Sequence, residues 1–249
     1  FDTQVTTSDS EQFWTSQHLN FEILPGILWR STIDWTHNTY QATFAQDEKF
    51  TLTTTDLDQS LVIPLGDSFI FEPHLKYLVK FEKTIMSAVL KKKMAHSQAW
   101  LMYSEGYRPP SLVDLYANYL IFVGNPDLLP EKSKQYEIGA SWSQDNISFK
   151  SSLFHITYIN LIQSQALGGG QFSKTNIGEA ESTGLNYTLT YDRKPWSASF
   201  SHSLLRAKNK SLDKDLNFSP TQQIFVKLSY QLQRWQLTGQ QRWWSDFQD

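Results

Sequence analysis

The 249 residues carry 22 basic and 25 acidic side chains, a formal charge of −3, and no cysteine. That balance excludes the basic stripe of a nucleic-acid-binding protein, and the missing thiols exclude disulfides, iron–sulfur clusters and thiol catalysis. Aromatic residues reach 14%, yet no apolar run approaches the roughly 20 residues of a spanning helix, so membrane passage would have to be made by strands.

Residues 1–11 are polar and read as a loop. Alternation predicts a first strand over 12–24, with Phe13, Thr15, Leu19, Phe21 and Ile23 on one face. Pro25-Gly26 turns the chain into a second strand over 27–44. After the charged Asp47-Glu48-Lys49, a third strand covers 50–65, and Gly66-Asp67 leads to a fourth over 68–81. A weaker fifth covers 85–94 and a sixth 98–107. The second half predicts strands at 134–142, 147–163, 181–192, 196–207, 223–232 and 235–244, twelve in all.

The connectors alternate in length. Those near 25–26, 66–67, 144–146, 193–195 and 233–234 are tight, whereas 108–133, 164–180 and 208–222 are expected to be long loops. Short turns at one end and long loops at the other are the pattern of an outer-membrane barrel, with the long loops outside the cell. The best strands support a two-faced sheet: Ile224, Val226, Leu228, Tyr230 and Leu232 alternate with Phe225, Lys227, Ser229 and Gln231. Leu185, Tyr187, Leu189 and Tyr191 alternate in the same way with Asn186, Thr188, Thr190 and Asp192. Alternation alone fits a soluble sandwich or barrel as well as a membrane barrel. Connector asymmetry and strand length favour the membrane.

Between the sixth and seventh strands the chain reads Ser104-Glu105-Gly106-Tyr107-Arg108-Pro109-Pro110-Ser111, continuing through Gly124-Asn125-Pro126-Asp127 to Pro130-Glu131-Lys132-Ser133. Pro109-Pro110 removes ladder donors and stops one strand, and Pro126 and Pro130 delay the next. This stretch resembles the mid-barrel signature of the TonB-dependent outer-membrane receptors, which include cobalamin and siderophore receptors. Residues 149–163 and 176–191 resemble the two strands that follow in that family.

The resemblance implies an all-β, antiparallel transmembrane β-barrel. The twelve strands would correspond to roughly the eighth through nineteenth of a 22-stranded barrel, with 1–249 as one barrel segment that contains no plug domain. It implies a bacterial outer-membrane location and uptake of a small nutrient, whether siderophore, cobalamin, haem or sugar. The implied partners are outer-membrane lipid, a TonB-type energy transducer acting through a plug outside this sequence, and other subunits or chain completing the barrel. It implies no covalent chemistry and no cofactor. The alternative is a plug-less barrel serving as a structural, adhesive or assembly component of an envelope complex. Phe1 opens on no secretion leader, which predicts a chain that starts after processing or inside a longer protein.

Other chemistry finds little support in the residues. His18, His37, His74, His96, His155 and His202 show no ligand spacing, and Gly168-Gly169-Gly170 lacks the spacing of a phosphate loop. No serine stands in a Gly-x-Ser-x-Gly elbow. Lys91-Lys92-Lys93 reads as a solvated strand end beside a periplasmic turn. The candidate ligand surface is the loop residues Tyr107, Arg108, Tyr116, Asn118, Tyr119 and Phe122, which mix aromatic area with hydrogen-bonding groups. Loop packing and an aromatic girdle would use the same residue types, and Arg108 suits a structural role as well as ligand contact.

Overall fold

The computed structural model describes residues 8–42, 49–118, 121–216 and 220–245. Its strands are β1 (Ser8–Leu24), β2 (Ile27–Ala42), β3 (Lys49–Leu65), β4 (Phe69–Leu78), β5 (Lys83–Lys93), β6 (Ser97–Arg108), β7 (Phe122–Val123), β8 (Glu131–Gln144), β9 (Ile147–Gly168), β10 (Gln171–Arg193), β11 (Trp196–Asn209), β12 (Lys214–Asp215), β13 (Gln222–Leu232) and β14 (Trp235–Trp244). One short α-helix, α1 (Leu112–Tyr116), lies between β6 and β7, and Val79–Phe81, expected in the fourth strand, instead form a 3-10 turn between β4 and β5. The twelve long strands form a single antiparallel meander in chain order, while β7 pairs with β10 and β12 with β11.

The register shows why these residues choose strands. Leu101, Ile138, Leu153, Leu185 and Leu204 pair in turn across β6, β8, β9, β10 and β11, forming one apolar row. One residue along, on the opposite face, Gly139, Ser152, Asn186 and Ser203 make the corresponding polar row. Leu101, Ile138 and Leu153 each remain about half exposed, at 53%, 54% and 51%. No large side chain among the described residues is fully buried. A soluble sandwich would cover its apolar face with a second layer. Among the described residues no part of the chain covers this apolar face, the arrangement of a transmembrane barrel whose apolar residues point outward and whose polar residues line the lumen. No helix among the described residues is long and apolar enough to cross a membrane.

The turns at one rim are all short: 25–26, 66–68, 94–96, 145–146, 194–195 and 233–234. The other rim carries the long connections at 109–130 and 210–221, and that at 43–48 lies outside the described residues. Two further expectations change. Residues 8–11 belong to β1, because they continue its register with 39–42 on β2. The expected loop at 164–180 is instead a continuation of β9 and β10, whose ladder runs on to Gln171 opposite Gly168. Gly168, Gly169 and Gly170 all adopt positive φ, so three residues without a Cβ close what would otherwise need a longer loop. The hairpin therefore rises well beyond its neighbours.

Candidate functional site

Below the long-loop rim, the lumen face of β3, β4 and β5 is laced by polar pairs. Lys76 Nζ lies 2.9 Å from Asp56 Oδ2 and Lys91 Nζ 2.6 Å from Glu72 Oε2. His74 bridges Asp58 Oδ1 at 2.6 Å and Ser87 Oγ at 3.0 Å. The order Ser–His–Asp invites comparison with a hydrolytic triad. Yet β4 and β5 are each paired on both sides, so their main-chain N–H groups serve the ladders rather than an oxyanion. No group of three or more metal-binding side chains occurs among the described residues. These contacts give a satisfied, wet wall.

The connection from β6 to β8 is more unusual. Pro109 and Pro110 end β6, and Ser111 starts α1 with a capping box: Asp114 N donates to Ser111 Oγ at 3.1 Å, and Ser111 N donates back to Asp114 Oδ2 at 3.4 Å. The apolar side of α1 then packs on the lumen face of β2 and β3. Tyr116 stacks on Phe50 with ring centroids 3.9 Å apart and planes within 3°, beside buried Tyr40 and Ala117. Phe122 joins the same cluster.

From there the chain crosses to the opposite side. β7 pairs with β10 through Phe122 and Phe172, and Asn125 Nδ2 donates to the Lys174 carbonyl at 2.9 Å. Asn176 of β10 holds the far end: its Oδ1 accepts from Leu129 N at 2.7 Å, and its Nδ2 donates to the carbonyls of Leu129 and Asn160. Gly124 is required at the crossing, because a Cβ there would sit 2.6 Å from the Leu115 carbonyl oxygen. Residues 109–118 and 121–130 thus form a strap from β6 across the inner wall, anchored on β2–β3 at one point and on β10 at another.

Its root is an ion pair. Arg108 donates from Nε and Nη2 to Glu131 at 2.5 and 2.7 Å, and Glu131 Oε1 also accepts from Ile162 N at 2.7 Å. Glu131 is buried.

The six candidate ligand residues do not gather at one point. Arg108 is engaged by Glu131, Tyr116 by Phe50, and Phe122 by the strap's apolar cluster. Tyr107 tilts against Phe81 at 5.6 Å, and Asn118 bridges Val123. Tyr119 lies outside the described residues. Sequence reading missed Asn176 and Glu131 as strap anchors. The only available signals were their polar character at strand positions and, for Glu131, its place in the Pro-Glu-Lys-Ser run.

With this geometry in hand, comparison with known proteins is specific. A family model described as TonB dependent receptor-like, beta-barrel, matches residues 96–249. A vitamin B12 transporter, BtuB, of Photobacterium profundum is 29% identical over 136 residues, covering 53% of this chain and 22% of that protein. The solved siderophore receptor PirA from Pseudomonas aeruginosa superposes with a TM-score of 0.75 at 18% identity, covering 96% of this chain and 50% of that one. A copper transporter, OprC, superposes with a TM-score of 0.73 at 15% identity, over 95% of this chain and 44% of the other. At these identities the solved structures share the fold. The chain spans half or less of the length of each.

Proposed function

Because the chain belongs to the TonB-dependent receptor β-barrel family of the bacterial outer membrane, we propose that it forms barrel wall along its whole length in a receptor for active uptake of a scarce small nutrient. The observation that supports this best is the strap. It leaves the rim, crosses the polar inner wall and is fastened at three places, so it narrows the route through the lumen without sealing it. A route narrowed by ordered chain has to be widened before a bulky ligand can pass, and in this reading a TonB-type transducer supplies the work through a plug held in the lumen.

Tyr107, Arg108, Tyr116, Asn118, Tyr119 and Phe122 act in this proposal as the frame of the ligand-capturing mouth. Arg108, Tyr116 and Phe122 set the strap's position, and the ligand is a siderophore, cobalamin, haem or a similar nutrient. Uptake by cells of radiolabelled ferric catecholate, ferric hydroxamate, cobalamin and haem tests the reading. One of these should accumulate only when both the receptor and the energised transducer are present, and removing strap residues 112–125 should abolish that uptake. Accumulation that persists without the transducer would overturn active transport.

A further inference from the structure

The lipid-facing side of the sheet carries a groove of about 550 Å³ across β4–β10. Its lower part is apolar, lined by Phe71, Ala88, Leu90, Leu101, Ile138 and Leu153. The hollow exists because Ala88 is small where its neighbours are large: it pairs with Tyr103 on β6 and with Pro73 on β4. The upper part changes character. Tyr103 and Tyr136 lie with rings 5.3 Å apart, and His155 Nδ1 is 2.9 Å from Thr183 Oγ1. Apolar below and amphipathic above, towards the long-loop rim, it matches the boundary between acyl chains and headgroups.

Two residues further up the same strands, the surface is charged. Glu105 follows Tyr103, Lys134 follows Tyr136, and Lys132 follows Lys134 on the same outward face. A second cavity, of about 320 Å³, is lined there by Glu105, Lys132, Lys134 and Thr157 among others. Glu105 stands directly opposite Lys134 in the ladder, and its oxygens are engaged by other donors. Its Oε1 accepts from the Tyr103 hydroxyl at 2.8 Å and its Oε2 from Met86 N at 3.2 Å. Glu181 is paired with Lys210 at 3.2 Å. The other acid, Glu179 on β10, lines the same cavity, as do Lys83 and Lys210, so four lysines face two glutamates there.

We infer that this surface is a binding site for one phosphate-bearing lipid of the outer leaflet, with an acyl chain in the groove under Tyr103–Tyr136 and its phosphate at Lys132 and Lys134. The occupant follows from position, since the groove opens to the bilayer. The headgroup chemistry follows from charge, since two exposed lysines stand above the groove in a cavity lined by four lysines and two glutamates. Long lysine stems suit this role, because their methylenes lie along the apolar surface while the charge reaches the headgroup layer. The site is independent of the uptake reading and holds whether or not the receptor transports.

The test is native mass spectrometry of the full-length protein purified from outer membranes in detergent and titrated with dioleoyl phosphatidic acid or with dioleoylglycerol, which has the same chains and no phosphate. Phosphatidic acid should bind at least about tenfold more tightly, as expected for two lysines near a lipid phosphate. Lys132→Glu with Lys134→Glu should remove that preference and leave diacylglycerol binding unchanged. Ala88→Trp should weaken both lipids; if it fails to give the heat-modifiable gel mobility of a folded barrel, the milder Ala88→Leu makes the same test. Equal binding of the two lipids by the native protein, an unchanged preference in the double variant, or competition by inorganic phosphate as strong as by the phospholipid would each overturn the site.

Discussion

Arg108 and Glu131 are unequal partners. The Arg108 side chain is 60% exposed and that of Glu131 only 11%. Losing the arginine strands a buried carboxylate, but Ile162 N still donates to it, so Arg108→Ala should cost about 1–2 kcal/mol. Losing the glutamate also orphans the Ile162 amide, and Glu131→Ala should cost about 2–4 kcal/mol. Glu131→Gln retains an acceptor and should fall between them. Urea unfolding of the folded barrel followed by tryptophan fluorescence ranks the three, and equal costs for the two alanine variants would show that the amide contact contributes nothing. A second residue tests the faces. Leu228 is half exposed and shares its face with Ala198 and Gly239, whereas neighbouring Lys227 pairs with Gln240 and Ser199 on the polar side. Arginine at 228 should cost about 2–4 kcal/mol near the bilayer midplane. The same change at Lys227, which keeps the charge in the lumen, should be close to neutral, and a reversed ranking would exchange lipid and lumen.

Strands were legible at the scale of the element because their signal is local: a period of two and a turn residue every ten or twenty positions. The strands at 235–244 and 147–163 read from alternation reappear as β14 and as the lower part of β9. Alternation could not place the ends of β9 and β10, because above the membrane belt neither face needs to be apolar and the pattern fades. Gly168-Gly169-Gly170 looked like a slack loop for the same reason, although its positive φ values make a tight hairpin. The strap was legible as an ordered loop from its prolines. Its anchors were not, because Asn176 meets Leu129 across 47 positions of sequence, and nothing local specifies such a contact. The strap carries its own prediction. Asn176 satisfies three main-chain groups, so Asn176→Ala should free the β10 end. Protease added to intact cells should then cut within 109–130 faster than in the native protein, and in both before any cut at 25–26 or 145–146. Unchanged strap cleavage would mean that the ring stack on Phe50 holds it alone, and preferential cutting at the short turns would invert the topology.

The whole molecule poses a question of closure. β1 pairs with β2 alone and β14 with β13 alone, so among the described residues each end of the sheet presents an unpaired edge. In hydrocarbon, each unsatisfied N–H or C=O costs several kcal/mol, and an open edge as long as β1, with 17 residues, cannot persist in the bilayer. Joining β1 to β14 would close twelve strands into a small barrel. For that strand number the interior shrinks towards what side chains alone can fill. The strap argues against so narrow a ring. It spans from β2–β3 to β10 through a helix and an apolar cluster, which needs a lumen wide enough for ordered chain inside the wall. Further strands are therefore expected to pair with both edges. Cysteines placed at lumen positions Ser16 on β1 and Gln240 on β14 should form no cross-link in the folded receptor, whereas Lys227 and Gln240, paired on β13 and β14, should cross-link readily when replaced by cysteine. Residues 1–249 alone, refolded into detergent, should lack the heat-modifiable mobility of a closed barrel. A β1–β14 cross-link in high yield, or a heat-modifiable species from this segment alone, would establish a sealed twelve-stranded barrel and require the strap to fit inside it.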